Sequence, residues 1–169
     1  DKYLIFEDTR KFGRFYLYDN MNVLNNKLGV EPLSNDFTED WILRNMKSRN
    51  RQVKQLLFDQ SFICGLGNIY IDEALWRAKI HPLSISSQIP SINIANLHKS
   101  IIKVLTESIE LGGTTIRDYT YDFSYVGNYA LNLNVFGKQG TRCPRCNTNI
   151  IKEKIAQRGT HFCPNCQMK

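Results

Sequence analysis

The chain has 169 residues, of which 42% are hydrophobic, and it carries 22 Lys and Arg against 16 Asp and Glu, a net charge of +6. This apolar share allows a buried core, while no stretch approaches the roughly 18 consecutive apolar residues of a membrane span. These 169 residues therefore show no candidate membrane span, and they favour a basic, folded chain of one domain or one and a half.

The first predicted element is a β-hairpin over residues 3–18. Residues 3–6 and 15–18 are rich in aromatic and β-branched side chains, as strands are. The loop between them holds Arg10 and Phe12. Such a loop suits a duplex-probing role, in which the ring wedges between bases and the guanidinium binds a base edge. The alternative is a ring packed against its own sheet.

A connection over residues 21–36, rich in Asn and in helix breakers, precedes two predicted helices. Thr38 has the character of an N-cap followed by two acids, which predicts a helix over about residues 39–47. A second helix is expected over about residues 51–58. Basic residues surround its start and form either a phosphate-binding run or an ordinary solvated face. They are Lys47, Arg49, Arg51 and Lys54.

Gly65 and Gly67 mark a tight turn between this helix and the next. Asn68 is predicted to be the N-cap of the next helix, with Asp72 and Glu73 early in it. Glycines let a backbone approach a partner, and a helix N-terminus presents free N–H groups to an anion such as phosphate. The alternative is a simple helix hairpin in which the glycines permit close packing.

The most regular helical pattern spans about residues 92–110, where apolar residues recur at intervals of three and four, as on one buried face. They are Ile94, Leu97, Ile101, Ile102, Leu105 and Ile109. His98 lies near this face and is expected to be structural.

Gly112 ends the helix, and an aromatic loop over residues 117–129 follows, either packed or able to grip an extruded base. Alternating leucines and valine over residues 131–135 predict a short strand.

Two Cys-x-x-Cys pairs, separated by sixteen residues, lie near the end of the chain: Cys143 and Cys146, then Cys163 and Cys166. This spacing is typical of a four-thiolate zinc site on a hairpin, and its closed tetrahedral coordination makes the ion structural. Two disulfides are the alternative. Cys64 is expected to be a buried thiol, and free thiols together with zinc suit a reducing cytoplasm.

The zinc segment also carries the net charge of the protein. Residues 138–169 hold seven Lys and Arg against one acid, whereas the other 137 residues balance at 15 against 15. A small metal-held hairpin with concentrated positive charge is typical of proteins that bind the phosphate backbone of nucleic acids. The alternative is a merely soluble tail.

Together these motifs resemble the formamidopyrimidine-DNA glycosylases over nearly the whole chain. The parts that carry the resemblance are Lys54, Gly65 to Tyr70, Glu73-Ala74-Leu75, His81-Pro82, the loop Asp8 to Gly13, Gly112 to Thr115, and the tail Ala156 to Gln167. The resemblance implies a mainly α fold with a small β zinc finger. A helix–two-turn–helix domain (residues 37–135) is followed by a zinc β-hairpin with four cysteine ligands (136–169). Before them lie a remnant β-hairpin of a catalytic β-sandwich domain (1–20) and a linker (21–36).

The resemblance also implies a function. Enzymes of this family remove 8-oxoguanine and formamidopyrimidines from duplex DNA and nick the abasic site, so the implied partner is double-stranded DNA with oxidised or abasic sites. The protein would be a bacterial, nucleoid-associated monomer of the cytoplasm with one structural Zn²⁺. The DNA-binding residues implied are Arg10, Phe12, Arg49, Arg51, Lys54, Asn68 and Arg158. Those implied to cover the flipped base are Gly113, Thr114, Thr115 and Tyr125.

Arg158 has a further implied role, because it matches the zinc-finger arginine that the family associates with the final, catalytic elimination. A free guanidinium stays protonated, so positioning a phosphate is the more plausible task than donating a proton.

The chain departs from the family pattern at the chemistry itself. The family's nucleophilic N-terminal Pro, the Glu that follows it and a catalytic Lys have no counterpart here, and the first proline, Pro32, is internal. We therefore expect a piece that begins at the last hairpin of the catalytic domain and cannot alone form a Schiff base. Two alternatives are an endonuclease VIII-like glycosylase for oxidised pyrimidines, against which residues 10–13 and 158–162 argue, and a non-catalytic zinc-ribbon nucleic-acid-binding module.

Overall fold

The computed structural model describes residues 3–6, 8, 11–114 and 128–169, and it is mainly helical. The helices are α1 (Asn22–Asn25), α2 (Glu39–Lys47), α3 (Val53–Phe58), α4 (Asn68–Arg77) and α5 (Ser91–Glu110). Short 3-10 turns occupy Ser86–Gln88 and Tyr129–Asn132, and the strands are β1 (Ile151–Ile155) and β2 (Arg158–Phe162). The predicted class, mainly α with a small β-hairpin, is confirmed.

Local sequence explains where α2 begins. Thr38 is extended, and its Oγ1 accepts a hydrogen bond from the Trp41 N–H at 3.0 Å, which satisfies one of the amide groups that a helix start leaves open. Glu39 and Asp40 follow in the first turn, where the helix dipole favours acids. The predicted helix over residues 39–47 is confirmed.

Helices α2 to α5 enclose one hydrophobic core. Its fully buried side chains include Ile42, Met46, Leu56, Leu57, Ile71, Leu75, Ile94, Leu97 and Ile101. His98 of α5 is structural, as predicted, because its Nε2 lies 2.8 Å from the carbonyl oxygen of Phe37. Cys64 is also buried, as expected.

The buried face of α5 differs from the prediction near its end. Ile109 is 66% exposed, while Val104 and Ser108 are buried. With 3.6 residues per turn, position 108 continues the face of 97, 101 and 104, and position 109 lies about 100° away from it. The core therefore ends at a serine, and the isoleucine faces outward.

Strands β1 and β2 form the hairpin predicted between the cysteine pairs. Ile155 pairs with Arg158, so the turn contains only Ala156 and Gln157. Both have positive φ, 51° and 60°, which is the two-residue turn that follows the right-handed twist of the strands. The register of the hairpin thus places Arg158 at its tip.

Residues 3–18 differ from the prediction of a β-hairpin. No strand is found in the described part of this stretch, and its large apolar side chains are exposed, Leu17 to 94%. The Phe6 and Phe15 rings still meet edge to face, 6.1 Å apart. The reason is physical, since an isolated two-stranded hairpin is marginal in water and needs a further sheet or helix to cover its apolar face.

The strand expected over residues 131–135 is also absent. A 3-10 turn covers Tyr129–Asn132, and the N–H groups that follow bind a side chain rather than a neighbouring strand.

Among the helices of the described ranges, none has the length and apolarity that crossing a bilayer requires. The predicted domain limits at residues 20, 36 and 135 stay predictions.

Candidate metal centre and nucleic-acid interface

The four cysteines of the two pairs converge on one point. Their sulfur atoms lie within 4.8 Å of one another, with 3.4 Å between Cys146 and Cys163 and 3.9 Å between Cys143 and Cys166. Sulfurs placed about 2.3 Å from a tetrahedral zinc would lie about 3.8 Å apart, so this donor set fits the ion. All four are free thiols, which contradicts the alternative of two disulfides.

The cysteines differ in their electrostatic surroundings. Hydrogen bonds from Asn165 and Thr148 lower the pKa of Cys146 to about 5, because they stabilise the thiolate. Burial and the neighbouring thiols raise the pKa of Cys166 to about 12. Metal binding to the four cysteines displaces the protons of those that are still thiols.

The C-terminal part of α4 supports the cysteine cluster. Trp76 packs with Val135, Ile150 and the cysteines. The Arg145 guanidinium lies 4.1 Å from the centre of the Trp76 ring, and it donates a hydrogen bond to the Trp76 carbonyl at 3.0 Å. One aromatic side chain and one cation–π contact thus connect the metal centre to the helical core.

One turn earlier on α4, Asp72 connects the helix to the hairpin. Its carboxylate accepts a hydrogen bond from the backbone N–H of His161 at 2.8 Å and forms an ion pair with Lys54. Neither side chain of this pair is exposed. Burial lowers the pKa of Lys54, against the opposing attraction of Asp72. The predicted phosphate contact of Lys54 is therefore wrong for this structure, because its ammonium is a buried counter-ion.

Glu73 holds the segment that enters residues 136–169, hereafter the finger. The fully buried carboxylate of Glu73 accepts hydrogen bonds from the backbone N–H groups of Asn134, Val135 and Phe136 at 2.8–3.0 Å. Asp72 and Glu73, expected early in their helix, are its fifth and sixth residues. Both are anchors between helix and finger, a role that sequence reasoning missed.

The tip of the hairpin lies against the start of α4. Asn68 Nδ2 donates a hydrogen bond to the Gly159 carbonyl at 3.1 Å, and the exposed Arg158 places its guanidinium 5.0 Å from the centre of the Phe58 ring. The predicted N-cap role of Asn68 is wrong, because Gly67 takes that position and makes no side-chain cap. The amide of Asn68 binds the finger instead.

The glycine turn in front of α4 is open to an approaching partner. Gly65 has a φ of +75°, and a Cβ added at Gly65 or Gly67 would meet no described atom within 4 Å. The first N–H groups of a helix lack partners inside the helix. An anion can therefore reach them here, next to Arg158. We call Arg158, Gly159, Asn68 and this turn the candidate interface.

Two family models match the chain. The formamidopyrimidine-DNA glycosylase H2TH domain (H2TH denotes helix–two-turn–helix) matches residues 28–120, more than half of the protein. The chain belongs to the formamidopyrimidine-DNA glycosylase family. The zinc finger found in FPG and IleRS matches residues 140–167. The four-thiolate cluster is thus the zinc site of this family's finger, and it binds one structural ion.

Relatives and solved structures agree with this membership. The formamidopyrimidine-DNA glycosylase of Roseiflexus sp. is 45% identical over 166 residues, which cover 97% of this chain and 61% of the relative. The Lactococcus lactis Fpg in complex with DNA containing an abasic site superposes with a TM-score of 0.80 at 43% identity, over 87% of this chain and 54% of that one. A MutM in complex with DNA containing carbocyclic 8-oxo-G gives 0.79 at 44%, over 86% and 53%. The chain therefore spans less than two thirds of these family members.

Two further DNA contacts predicted from the family, Arg49 and Arg51, are held by the protein itself. Arg49 lies 5.0 Å from the centre of the Phe62 ring and donates to the Asn45 carbonyl at 2.8 Å. Arg51 pairs with Asp59 at 2.8 Å and is 40% exposed. Hydrogen bonds from Ser61 and then Arg51 lower the pKa of Asp59 to about 2. Each arginine would therefore offer a phosphate only the exposed part of its guanidinium.

The remaining predicted residues of the family pattern lie on loops. Phe12 is 82% exposed, as a wedge requires. Gly113, with a φ of +89°, and Thr114 begin the loop predicted to cover a flipped base. Sequence reasoning missed Tyr70, whose hydroxyl lies 2.6 Å from that of Ser108 and 3.2 Å from that of Thr114, at the root of this loop. The predictions that lie outside the described residues are Arg10, Thr115 and Tyr125.

Proposed function

We propose that the chain is the DNA-binding part of a base-excision-repair DNA glycosylase and AP lyase, which removes 8-oxoguanine and formamidopyrimidine from duplex DNA. The observation that carries the proposal is that the tip of the zinc hairpin, with Arg158, is docked beside the open start of α4. A guanidinium and free helix N–H groups are both donors suited to phosphate. The DNA complexes of similar structures support the same partner here.

The proposed grip on DNA follows from where these residues lie. Extruding a damaged base from the duplex costs a few kcal/mol, which contacts to the deformed DNA must offset. The Arg158 guanidinium and the free backbone N–H groups at the uncapped start of α4, that of Asn68 among them, would hold phosphates beside the lesion. Phe12 would fill the vacated place in the stack, and Arg10 would bind the orphaned cytosine. The loop from Gly113 to Tyr125 would cover the extruded base.

The chemistry of base excision needs a nucleophilic amine. We propose that residues 1–169 bind damaged DNA without cleaving it, because their first proline is the internal Pro32. The amine would come from the part of the relatives that this chain does not span. Arg158, as a protonated guanidinium, would position a phosphate during the final elimination. The enzyme would act as a monomer at the bacterial nucleoid, in the cytoplasm.

A binding titration combined with borohydride trapping tests this function. The 169-residue chain should bind duplex DNA with an abasic-site analogue more tightly than undamaged duplex, and borohydride should trap no adduct on duplex with 8-oxoguanine. A trapped adduct would show that an amine within these residues reacts. Equal affinity for damaged and undamaged duplex would contradict lesion binding, and no affinity for DNA would contradict the proposal as a whole.

Replacing Arg158 tests the phosphate contact directly. Arg158→Ala should weaken binding to all sequences, and the slope of log K against log salt should flatten by about 0.9, the contribution of one phosphate. A hydrogen bond to a charged group contributes about 1.5–3 kcal/mol, so we expect about a tenfold loss of affinity or more.

The matched control for Arg158→Ala is Arg44→Ala, which removes the same charge from an exposed site on α2. The control should leave the slope almost unchanged. The same slope for Arg158→Ala and the unaltered protein would mean that this guanidinium does not touch a phosphate.

A further inference from the structure

Two hydrogen bonds attach β2 to α4, and their spacings match. On the helix, Asn68 and Asp72 are four residues apart, about 6 Å at 1.5 Å per residue. On the strand, their partners Gly159 and His161 are two residues apart, about 6.6 Å at 3.3 Å per residue. Helix and strand therefore run in the same direction, in register, over one helical turn.

Neither the metal centre nor apolar packing provides this register. All four zinc ligands belong to the finger, so zinc closes the finger on itself. The apolar contacts with α4 lie at Trp76 and at Phe136, which packs in one cluster with Ile69 and Tyr70, and apolar attraction has no directional preference. Hydrogen bonds are directional. The other hydrogen bonds from the finger to α4 and the turn after it come from Phe136, Arg145 and Gln167, outside the two strands. The two on β2, one helical turn apart, therefore set the tilt of the hairpin and the position of its tip.

The Asp72 contact depends on Lys54. A buried carboxylate without a counter-ion is strongly destabilised, and Lys54, from α3, provides that counter-ion without being exposed itself. Because Asp72 also accepts the N–H of His161, the elements α3, α4 and β2 meet at one side chain.

We propose that Asp72, with Lys54 as its counter-ion, is a positioning residue for DNA binding. It holds β2 along α4, so that Arg158 and the start of α4 contact the same stretch of DNA backbone. This inference rests on the proposed function, since it assigns the arrangement of the same site.

Two double variants test the inference, and both replace the ion pair so that no charge is left buried alone. Lys54→Met with Asp72→Leu removes the acceptor for the His161 N–H. Lys54→Met with Asp72→Asn keeps an acceptor and is the matched control. Arg158→Ala is introduced into each variant and into the unaltered protein, and DNA affinity and zinc content are measured for all six proteins.

The proposal predicts a coupling between the two sites. In the unaltered protein and in the Asp72→Asn control, Arg158→Ala should reduce affinity about tenfold or more, as one charge-assisted contact does. In the Asp72→Leu variant, with one zinc still bound, Arg158→Ala should reduce DNA affinity less than about twofold, because the guanidinium no longer meets its phosphate. A tenfold loss in the Asp72→Leu variant as well would overturn the inference.

A failure of the proposed function would have a different signature, since Arg158→Ala would then have no effect on DNA affinity in the unaltered protein.

Hydrogen exchange supplies a test that does not depend on the folding of any variant. The His161 amide should exchange as slowly as the core amides of α4 in the unaltered protein, and exchange at the rate of an exposed amide would overturn the inference.

Discussion

Replacing Cys163 with Ser should unfold the finger and leave the helical core intact. Structural zinc in isolated fingers contributes about 10–16 kcal/mol of apparent binding free energy, and the apolar cluster around the cysteines is small. Beside Cys143 and Cys163, its buried members are Trp76, Val135 and Ile150. Hydrogen exchange should show rapid exchange in residues 136–169 and continued protection in α2 to α5.

The same variant should lose DNA affinity, because the tip of the hairpin no longer lies beside α4. Chelation of zinc from the unaltered protein should give the same result and be reversed when zinc is restored. Cys64→Ser is the matched control, since it replaces a buried thiol outside the metal centre and should retain both zinc and affinity. Unchanged DNA affinity in Cys163→Ser would separate zinc from DNA binding.

Glu73→Ala should destabilise the protein by about 3–5 kcal/mol, the usual result of removing one partner from a buried charged contact. Three backbone N–H groups, those of residues 134–136, lose their acceptor together, and each unsatisfied buried donor is unfavourable by about 1–3 kcal/mol. Urea unfolding followed by circular dichroism measures this loss. The stability of Glu73→Gln should lie between that of Glu73→Ala and that of the unaltered protein, because the amide oxygen still accepts some of these hydrogen bonds.

Glu107→Ala is the control for Glu73→Ala. Glu107 is an acid of α5 that pairs with Arg77 at 2.7 Å and remains 31% exposed. A partly exposed ion pair contributes about 1 kcal/mol or less, so this change should have a small effect. Equal losses for the two alanine variants would mean that the convergence of three N–H groups on Glu73 contributes little to stability.

Features that depend on neighbours in sequence could be predicted. Thr38 caps its helix because the accepting hydroxyl and the donating amide are three residues apart, and the spacing of the cysteine pairs determines a metal site that closes locally. The hairpin between Ile151 and Phe162 follows from the same spacing. In each case the residues that interact are close in the chain, and the local pattern is therefore enough.

The anchors of α4 could not be predicted for the opposite reason. Helical spacing shows Asp72 and Glu73 as polar residues, and nothing in the local pattern distinguishes an acid facing water from one facing a segment 61–89 residues away. Lys54 was taken for a surface cation on the same grounds. The strand prediction for residues 3–18 was wrong for a related reason. Their composition suits a sheet, but a strand also needs a neighbouring strand to pair with, and the described residues contain none that pairs with them.

The anchoring of the finger on α4 also has a kinetic consequence. The contacts of Asp72 with His161 and of Asn68 with Gly159 close loops of 89 and 91 residues, whereas the cysteines span at most 23. Long loops close late, because their entropy must be overcome before the contact forms. During synthesis, α4 is complete long before β2 exists. We therefore expect the finger to dock on α4 after its metal site has closed, with Glu73 facing water until then.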